Sequence, residues 1–168
     1  VNSTEQTFLT NTVLAAQQAQ RQFGIPACIT IAQATLESGW GQSALARQAN
    51  NYFGVKANAK ATPAQYAEFP TEEFVDGRKV EEMARFARYS TPAAGFEAHA
   101  YLLNMALRYR PAMAVKNDPA KFAQALQDCG YSTNPNYAAL LMKLVREFDL
   151  EQYDILPGSP AQTKEAKG

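Results

Sequence analysis

The sequence is short of the residues many enzymes lean on. It holds one histidine, His99, and two cysteines, Cys28 and Cys129, in 168 residues. A single histidine leaves a histidine-based metal site or a Ser-His triad without its parts. Two cysteines so far apart in the chain make neither a zinc site nor a disulfide framework. No metal and no cofactor is therefore expected. An excess of charge of either sign is also missing: 16 basic residues face 16 acidic ones. Phosphate-binding proteins normally carry a basic excess or stripe, so nucleic acid is not an expected partner. No run approaches ~18 uninterrupted apolar residues, so no integral membrane segment is expected. Asn2 to Gln20 is polar and helical in pattern, so no signal peptide is visible, and the chain begins without Met. Carboxylates, tyrosines, lysines and the two thiols are left to carry chemistry.

What is there suffices for a folded domain. Hydrophobic residues make up 46% of the chain, with 9 Phe and 8 Tyr, which excludes wholesale disorder. Ser3-Thr4-Glu5-Gln6 reads as a capping box, followed by Leu9, Val13 and Ala16 at helical spacing and Gly24 as a stop. Pro26 suits the first turn of a second helix, which runs through Ile29, Ala32 and Leu36 to Glu37-Ser38 and ends at Gly39. Nearly free of charge, it is expected to be buried on most sides. A short third helix is expected over Ser43 to Gln48. The stretch from Ala57 to Tyr89 changes character, with Pro63, Pro70 and Asp76-Gly77 as punctuation. Asp-Gly between Thr71–Val75 and Arg78–Val80 signals a hairpin, and Phe86 to Tyr89 reads as a further strand or edge. Helices return at Thr91-Pro92, with Phe96, Ala100, Leu103 and Leu107 on one face. Asp118-Pro119 starts another, with Phe122 and Leu126 buried, and Asn134-Pro135 starts the last, carrying Tyr137, Leu141, Leu144, Val145 and Phe148. The expected fold class is α+β, mainly α. The domain is expected over 1–155, with 156–168 a flexible tail or linker by its composition.

The sharpest local feature is Thr35-Leu36-Glu37-Ser38-Gly39-Trp40-Gly41. A carboxyl ends an apolar helix beside a turn holding the only tryptophan. Apolar surroundings disfavour the ionised form, and a carboxylic acid of raised pKa can protonate a leaving oxygen near neutral pH. Sugars stack on aromatic faces, and Trp40 and Tyr52 lie close in sequence. Glu37 could equally cap a neighbouring backbone or pair with an arginine, and spacing alone leaves both readings open.

Taken together, four segments resemble a known family: Ala32 to Ser43 (Ala-Gln-Ala-Thr-Leu-Glu-Ser-Gly-Trp-Gly-Gln-Ser), Asn50 to Ala57 (Asn-Asn-Tyr-Phe-Gly-Val-Lys-Ala), Thr71 to Gly77, and Gly130 to Tyr137 (Gly-Tyr-Ser-Thr-Asn-Pro-Asn-Tyr). In this order, across about residues 5 to 150, they are similar to glycoside hydrolase family 73, the N-acetylglucosaminidase family of peptidoglycan hydrolases found in autolysins and in the flagellar rod-associated muralytic protein. The resemblance implies a lysozyme-like fold, with a helical lobe and a small β-hairpin lobe flanking a groove. It implies cleavage of the β-1,4 bond after N-acetylglucosamine in cell-wall glycan, outside the cytoplasm, by a monomer whose partner is the glycan strand. Glu37 matches the family's general acid, Glu73 the second carboxylate on the hairpin and Tyr131 a tyrosine near the cleavage point. Trp40, Asn51, Tyr52, Phe53 and Tyr137 are implied as substrate-binding residues. Glu72 is expected on the opposite face of the strand from Glu73, and Glu68 matches less well. The sequence departs from the family at Ser132, Asn134 and Phe74, and in Lys60 to Gln65, which replaces the usual Trp-Lys-Gly turn.

A glycosidase normally sets two carboxyls across the scissile bond, roughly 5–5.5 Å apart when retaining and about 6.5–9.5 Å when inverting. The 2-acetamido group of the sugar offers a third route as internal nucleophile. The sequence does not choose between an inverting base and substrate assistance. A muramidase or lytic transglycosylase is the rival within the same fold, and a non-catalytic glycan-binding module the rival outside catalysis. His99 is expected to be a core or boundary residue. Cys28 and Cys129 could be bonded in an exported protein, and Lys56 could touch substrate or stay on the surface. The Glu81, Glu82, Arg85 and Arg88 charges read as a solvent face.

Overall fold

The first helix, α1 (Ser3–Phe23), starts one residue earlier than its Ser-Thr signal suggests. Asn2 is the cap: its side chain accepts from Glu5 N at 2.9 Å, and the Glu5 carboxylate accepts from Asn2 N at 2.8 Å. An asparagine carbonyl serves this role as well as a serine hydroxyl, so the box closes on Asn2 and Ser3 becomes the first helical residue. The computed structural model describes residues 1–156, apart from the side chains of Glu73 and Phe74; the tail expected beyond Ile155 therefore lies outside the described residues, Leu156 excepted.

The second helix, α2 (Ala27–Ser38), is the axis of the molecule. Every residue from Ala27 to Thr35 is buried. Small side chains at Ala27, Ala32 and Ala34 let neighbours close in on all sides, and helix α1, a C-terminal helix α7 (Tyr137–Glu147) and the 150–153 turn pack around it. A short α3 (Ala44–Ala49) follows, capped by the Ser43 hydroxyl. Strands β1 (Tyr66–Val75) and β2 (Arg78–Ala87) then form one antiparallel hairpin. Asp76 and Gly77 both have positive φ, 50° and 74°, the conformation a two-residue primed turn requires. The strands run longer than the turn signal alone marks. Phe86 belongs to the end of β2, paired with Ala67, and is not a separate strand. Pro70 sits within β1 because a two-stranded sheet has only edges, where a missing N–H is tolerated.

The helical body resumes with α4 (Pro92–Met105), a four-residue α5 (Arg110–Met113) and α6 (Pro119–Asp128). The expected apolar face of α4 is one residue too long: the helix ends at Met105, and Leu107, in the following 3-10 turn, is 68% exposed. Helix α7 begins at Tyr137, later than its Asn-Pro signal. The Asn134 side chain accepts from Asn136 N at 2.9 Å, so Asn134 and Pro135 build a turn ahead of the helix. Cys28 and Cys129 are both free thiols.

The hairpin is tied to the body at its base. Tyr89 N donates to Ala49 O and Asn50 Nδ2 to Tyr89 O, each at 2.9 Å. Gly95, in the first turns of α4, lies so close to the Asn50 carbonyl oxygen that a Cβ there would overlap it, with Tyr89 Cδ2 at 3.2 Å as well. Glycine to alanine inside a helix ordinarily stabilises by ~1 kcal/mol. Here the obstruction is backbone, so Gly95→Ala is expected to destabilise by about 1–3 kcal/mol. Urea unfolding measures it, and an increase in midpoint would contradict this account of the junction.

Candidate active site

Glu37 is the penultimate residue of α2. The chain must turn away sharply after it, and three successive residues, Gly39, Trp40 and Gly41, take positive φ of 55°, 58° and 74°. The Ser38 hydroxyl secures the turn by accepting from Gly41 N at 2.8 Å, and Trp40 N donates to Thr35 O at 3.3 Å. The Glu37 side chain is open to solvent and makes no hydrogen bond or ion pair among the described residues. Loss of hydration on its protein side nevertheless raises its pKa above the usual carboxylate value. The C-terminal end of a helix is also the unfavourable end for an anion. Capping and arginine pairing, the two structural roles open to Glu37 on spacing, are thus not the ones it takes.

The surroundings of Glu37 differ from those its sequence neighbours suggest. Trp40 turns away to pack edge-on against Phe8 and Phe148, with ring centroids 5.5 Å and 4.6 Å apart. Two phenols from the far end of the chain come near instead. The Glu37 charge helps to raise the pKa of both Tyr131 and Tyr137, behind the larger effect of burial. Tyr131 follows Gly130 on a connection clamped by Arg108, whose Nη2 donates to Gly130 O at 2.6 Å and Cys129 O at 3.2 Å. Its ring stacks on Tyr137 at 5.5 Å and 20°, and its hydroxyl lies 3.1 Å from Nε2 of His99. The side chain of Tyr131 is half-buried.

Three residues implied as substrate-binding are part of the scaffold. Asn51 is 1% exposed: its Nδ2 donates to Val55 O and Ala87 O, and its Oδ1 accepts from Val55 N and Phe53 N. Every polar atom of the amide is used inside the chain. Phe53 is buried, flat against His99 at 3.7 Å between centroids and edge-on to Phe96 at 4.9 Å. Tyr137 is buried too, its hydroxyl accepting from Gln33 Nε2 at 2.9 Å. Tyr52 is half-buried against Phe8 and Phe96. A motif shared for packing and a motif shared for binding look alike in sequence, and burial separates them.

On the hairpin, Glu72 stands in solvent and pairs with Lys79 at 2.8 Å, and Glu68 pairs with Arg85 at 3.2 Å. The backbone of Glu73 is paired with that of Val80, and its side chain, like that of Phe74, lies outside the described residues. Lys56, at the surface, holds its Nζ 5.5 Å from the centre of the Phe86 ring. His99 is fully buried, as expected of a core residue, and its hydroxyl partner is Tyr131. No spacing signal links it to Tyr131, 32 residues away. No group of three or more His, Cys, Asp or Glu side chains that could hold a metal occurs among the described residues. Nor is any helix there long and apolar enough to cross a membrane. A cavity of about 560 Å³ at the base of the hairpin is lined by Asn58, Lys60, Arg88 and Tyr89 among others and contains none of the site residues.

A mostly helical body, a two-stranded antiparallel hairpin and an acid at the end of a buried helix make up a lysozyme-like fold. Residues 13–150 match the glucosaminidase family, described as mannosyl-glycoprotein endo-beta-N-acetylglucosaminidase, and the chain belongs to that family. The exo-glucosaminidase LytG of Bacillus subtilis is 36% identical over 155 residues, which are 89% of this chain and 54% of LytG. The catalytic domain of the autolysin Auto from Listeria monocytogenes superimposes with a TM-score of 0.79 at 27% identity, covering 92% of this chain and 89% of that one. A C-terminally truncated glycoside hydrolase domain of Salmonella typhimurium FlgJ gives 0.70 at 34% identity, over 86% and 97%. The chain spans about half the length of the curated relatives it matches.

Proposed function

We propose that this chain is a peptidoglycan hydrolase, an endo-β-N-acetylglucosaminidase that cleaves the β-1,4 bond after N-acetylglucosamine with Glu37 as general acid. The state of Glu37 carries the reading: an unpaired carboxyl, open to solvent, with a raised pKa. Such an acid hands its proton to the leaving glycosidic oxygen as the C1–O bond breaks. In an inverting reaction water attacks C1 from the opposite face as that bond breaks, losing its proton to Glu73. In the substrate-assisted route the acetamido oxygen closes on C1 first and water opens the ring afterwards. In either route Tyr131 acts beside the reacting sugar as a hydrogen-bond donor. The name of LytG supports the sugar and that of FlgJ the peptidoglycan substrate, and a wall substrate implies work outside the cytoplasm, in the wall or periplasm. One chain supplies every group named, so a monomer suffices.

Purified cell walls are expected to lose turbidity on incubation with the protein, and mass spectrometry of the reduced fragments to show N-acetylglucosamine at the new reducing ends. New ends at muramic acid or its anhydro form would replace this reading by a muramidase or lytic transglycosylase. Binding without new ends would replace it by a glycan-binding module.

Two further outcomes test the roles. Glu73→Gln is expected to cost much more activity than Glu72→Gln, because the Glu72 carboxylate already faces solvent and pairs with Lys79; equal losses in the wall assay remove Glu73 from the mechanism. Tyr131→Phe is expected to lower kcat on soluble glycan fragments by about tenfold or more. It also leaves buried His99 without its hydroxyl partner, so a stability loss of about 1–3 kcal/mol accompanies the kinetic one. A variant with lowered stability and unchanged kcat would make Tyr131 a packing residue.

A further inference from the structure

His99 is the only histidine of the chain and is wholly buried on α4. Its ring lies flat on Phe53, 10° from parallel. Nε2 is 3.1 Å from the Tyr131 hydroxyl oxygen, whereas Nδ1 is buried and meets no hydrogen-bond partner. Burial holds the ring neutral by lowering its pKa to about 3. A neutral imidazole carries one N–H and one lone pair, and the hydrogen bonds it makes decide which nitrogen holds which. With the proton on Nδ1, a donor would be buried facing nothing, the rarest kind of orphaned group. With the proton on Nε2, the one available partner is used and Nδ1 keeps only a lone pair. We propose that His99 is a positioning residue whose Nε2–H donates to the Tyr131 oxygen, so that the phenol's own hydrogen remains free to be donated to the reacting sugar.

The packing around Tyr131 holds its ring and its oxygen in place. The oxygen is satisfied from behind by His99, and the ring is held between Tyr137 and Tyr109, with centroids at 5.5 Å and 6.0 Å. Glu37 is close enough for its charge to act on the phenol. In the opposite tautomer Tyr131 would donate to His99 and have no hydrogen left for substrate. The inference rests on Tyr131 working beside the reacting sugar, as proposed above.

Because there is one histidine, a ¹⁵N spectrum of protein labelled in the imidazole nitrogens reports this residue alone. The expected result is a protonated, pyrrole-type Nε2 and an unprotonated, pyridine-type Nδ1, unchanged from about pH 5 to about pH 9. A pyrrole-type Nδ1, or titration within that range, overturns the proposal whatever the variants do. The kinetic arm is a double-mutant cycle. His99→Phe keeps a ring against Phe53 and is expected to lower kcat about tenfold with KM within about twofold, and to have no further effect in a Tyr131→Phe background. His99→Gln, which can place an amide N–H near the Nε2 position, is expected to recover most of the loss. An unchanged kcat in His99→Phe, or an equal fall in both backgrounds, overturns the positioning role while leaving Tyr131 in place. An unchanged kcat in Tyr131→Phe alone instead removes the reading on which the inference rests.

Discussion

Glu37→Gln is expected to reduce wall hydrolysis by roughly 10²–10⁴-fold, the span a general acid contributes, while the protein remains folded. The amide keeps the shape of the side chain and loses only the transferable proton. No described hydrogen bond or ion pair depends on the carboxylate, so the fold is expected to be kept. The stability effect has a defined sign. The folded-state pKa of Glu37 is raised, so the folded protein holds this proton more tightly than the unfolded chain. Its contribution is present below the unfolded value and lost as pH rises through the folded one. At neutral pH the ionised carboxylate is therefore a mild burden, and the glutamine variant should melt at the same temperature as the parent or slightly higher. The same titration sets the activity profile: the rate should fall as pH rises through the raised pKa, and the variant's residual rate should lack that limb. Retention of more than about a tenth of parental activity would exclude Glu37 as the acid.

Much of this site is legible in one short string. Glu37 lies at the end of a helix with no charge from Ala27 to Leu36, followed by two glycines that let the chain reverse, and that is enough to place an acid beside packed apolar surface. The hairpin is legible for a similar reason: Asp76-Gly77 demands a primed turn, and the turn sets the register of both strands. Other features are hidden by the nature of the interactions. Trp40 is next to Glu37 in sequence, yet its ring belongs to Phe8 and Phe148. The phenols that do meet the charge of Glu37 come from the other end of the chain, and His99 comes with them through a single hydrogen bond. Long-range pairings of this kind leave no periodicity to read. Boundaries at Asn2 and Tyr137 move by a few residues because asparagine can cap a helix in one place and build a turn ahead of one in another.

Asn51→Ala is expected to be the most destabilising of the substitutions considered, and it separates two roles that the sequence merges. The Asn51 amide joins the segment after α3 to the end of β2 through Val55 O and Ala87 O, both at 2.9 Å, while its oxygen collects Val55 N at 3.1 Å and Phe53 N at 3.4 Å. Truncation removes every one of these bonds and leaves a cavity too. The Ala87 carbonyl lies where β2 leaves for the body, and Phe53, bonded to the same amide, stacks on His99. With a few of those groups rehydrated, the net loss should be roughly 2–5 kcal/mol. At about 2–4 °C per kcal/mol for a chain of this size, the melting temperature falls by roughly 5–20 °C. Asn51→Asp keeps the acceptor and loses the donors, and turns a negative charge toward two carbonyl oxygens. It should be nearly as damaging at neutral pH and recover in part on acidification, as protonation restores one donor. A substrate-binding asparagine would behave oppositely, raising KM while leaving the melting curve in place. Thermal unfolding together with KM on soluble glycan fragments, measured well below the variant's transition, decides between the two: a lowered melting temperature with KM little changed assigns Asn51 to the joint that holds the hairpin against the helical body.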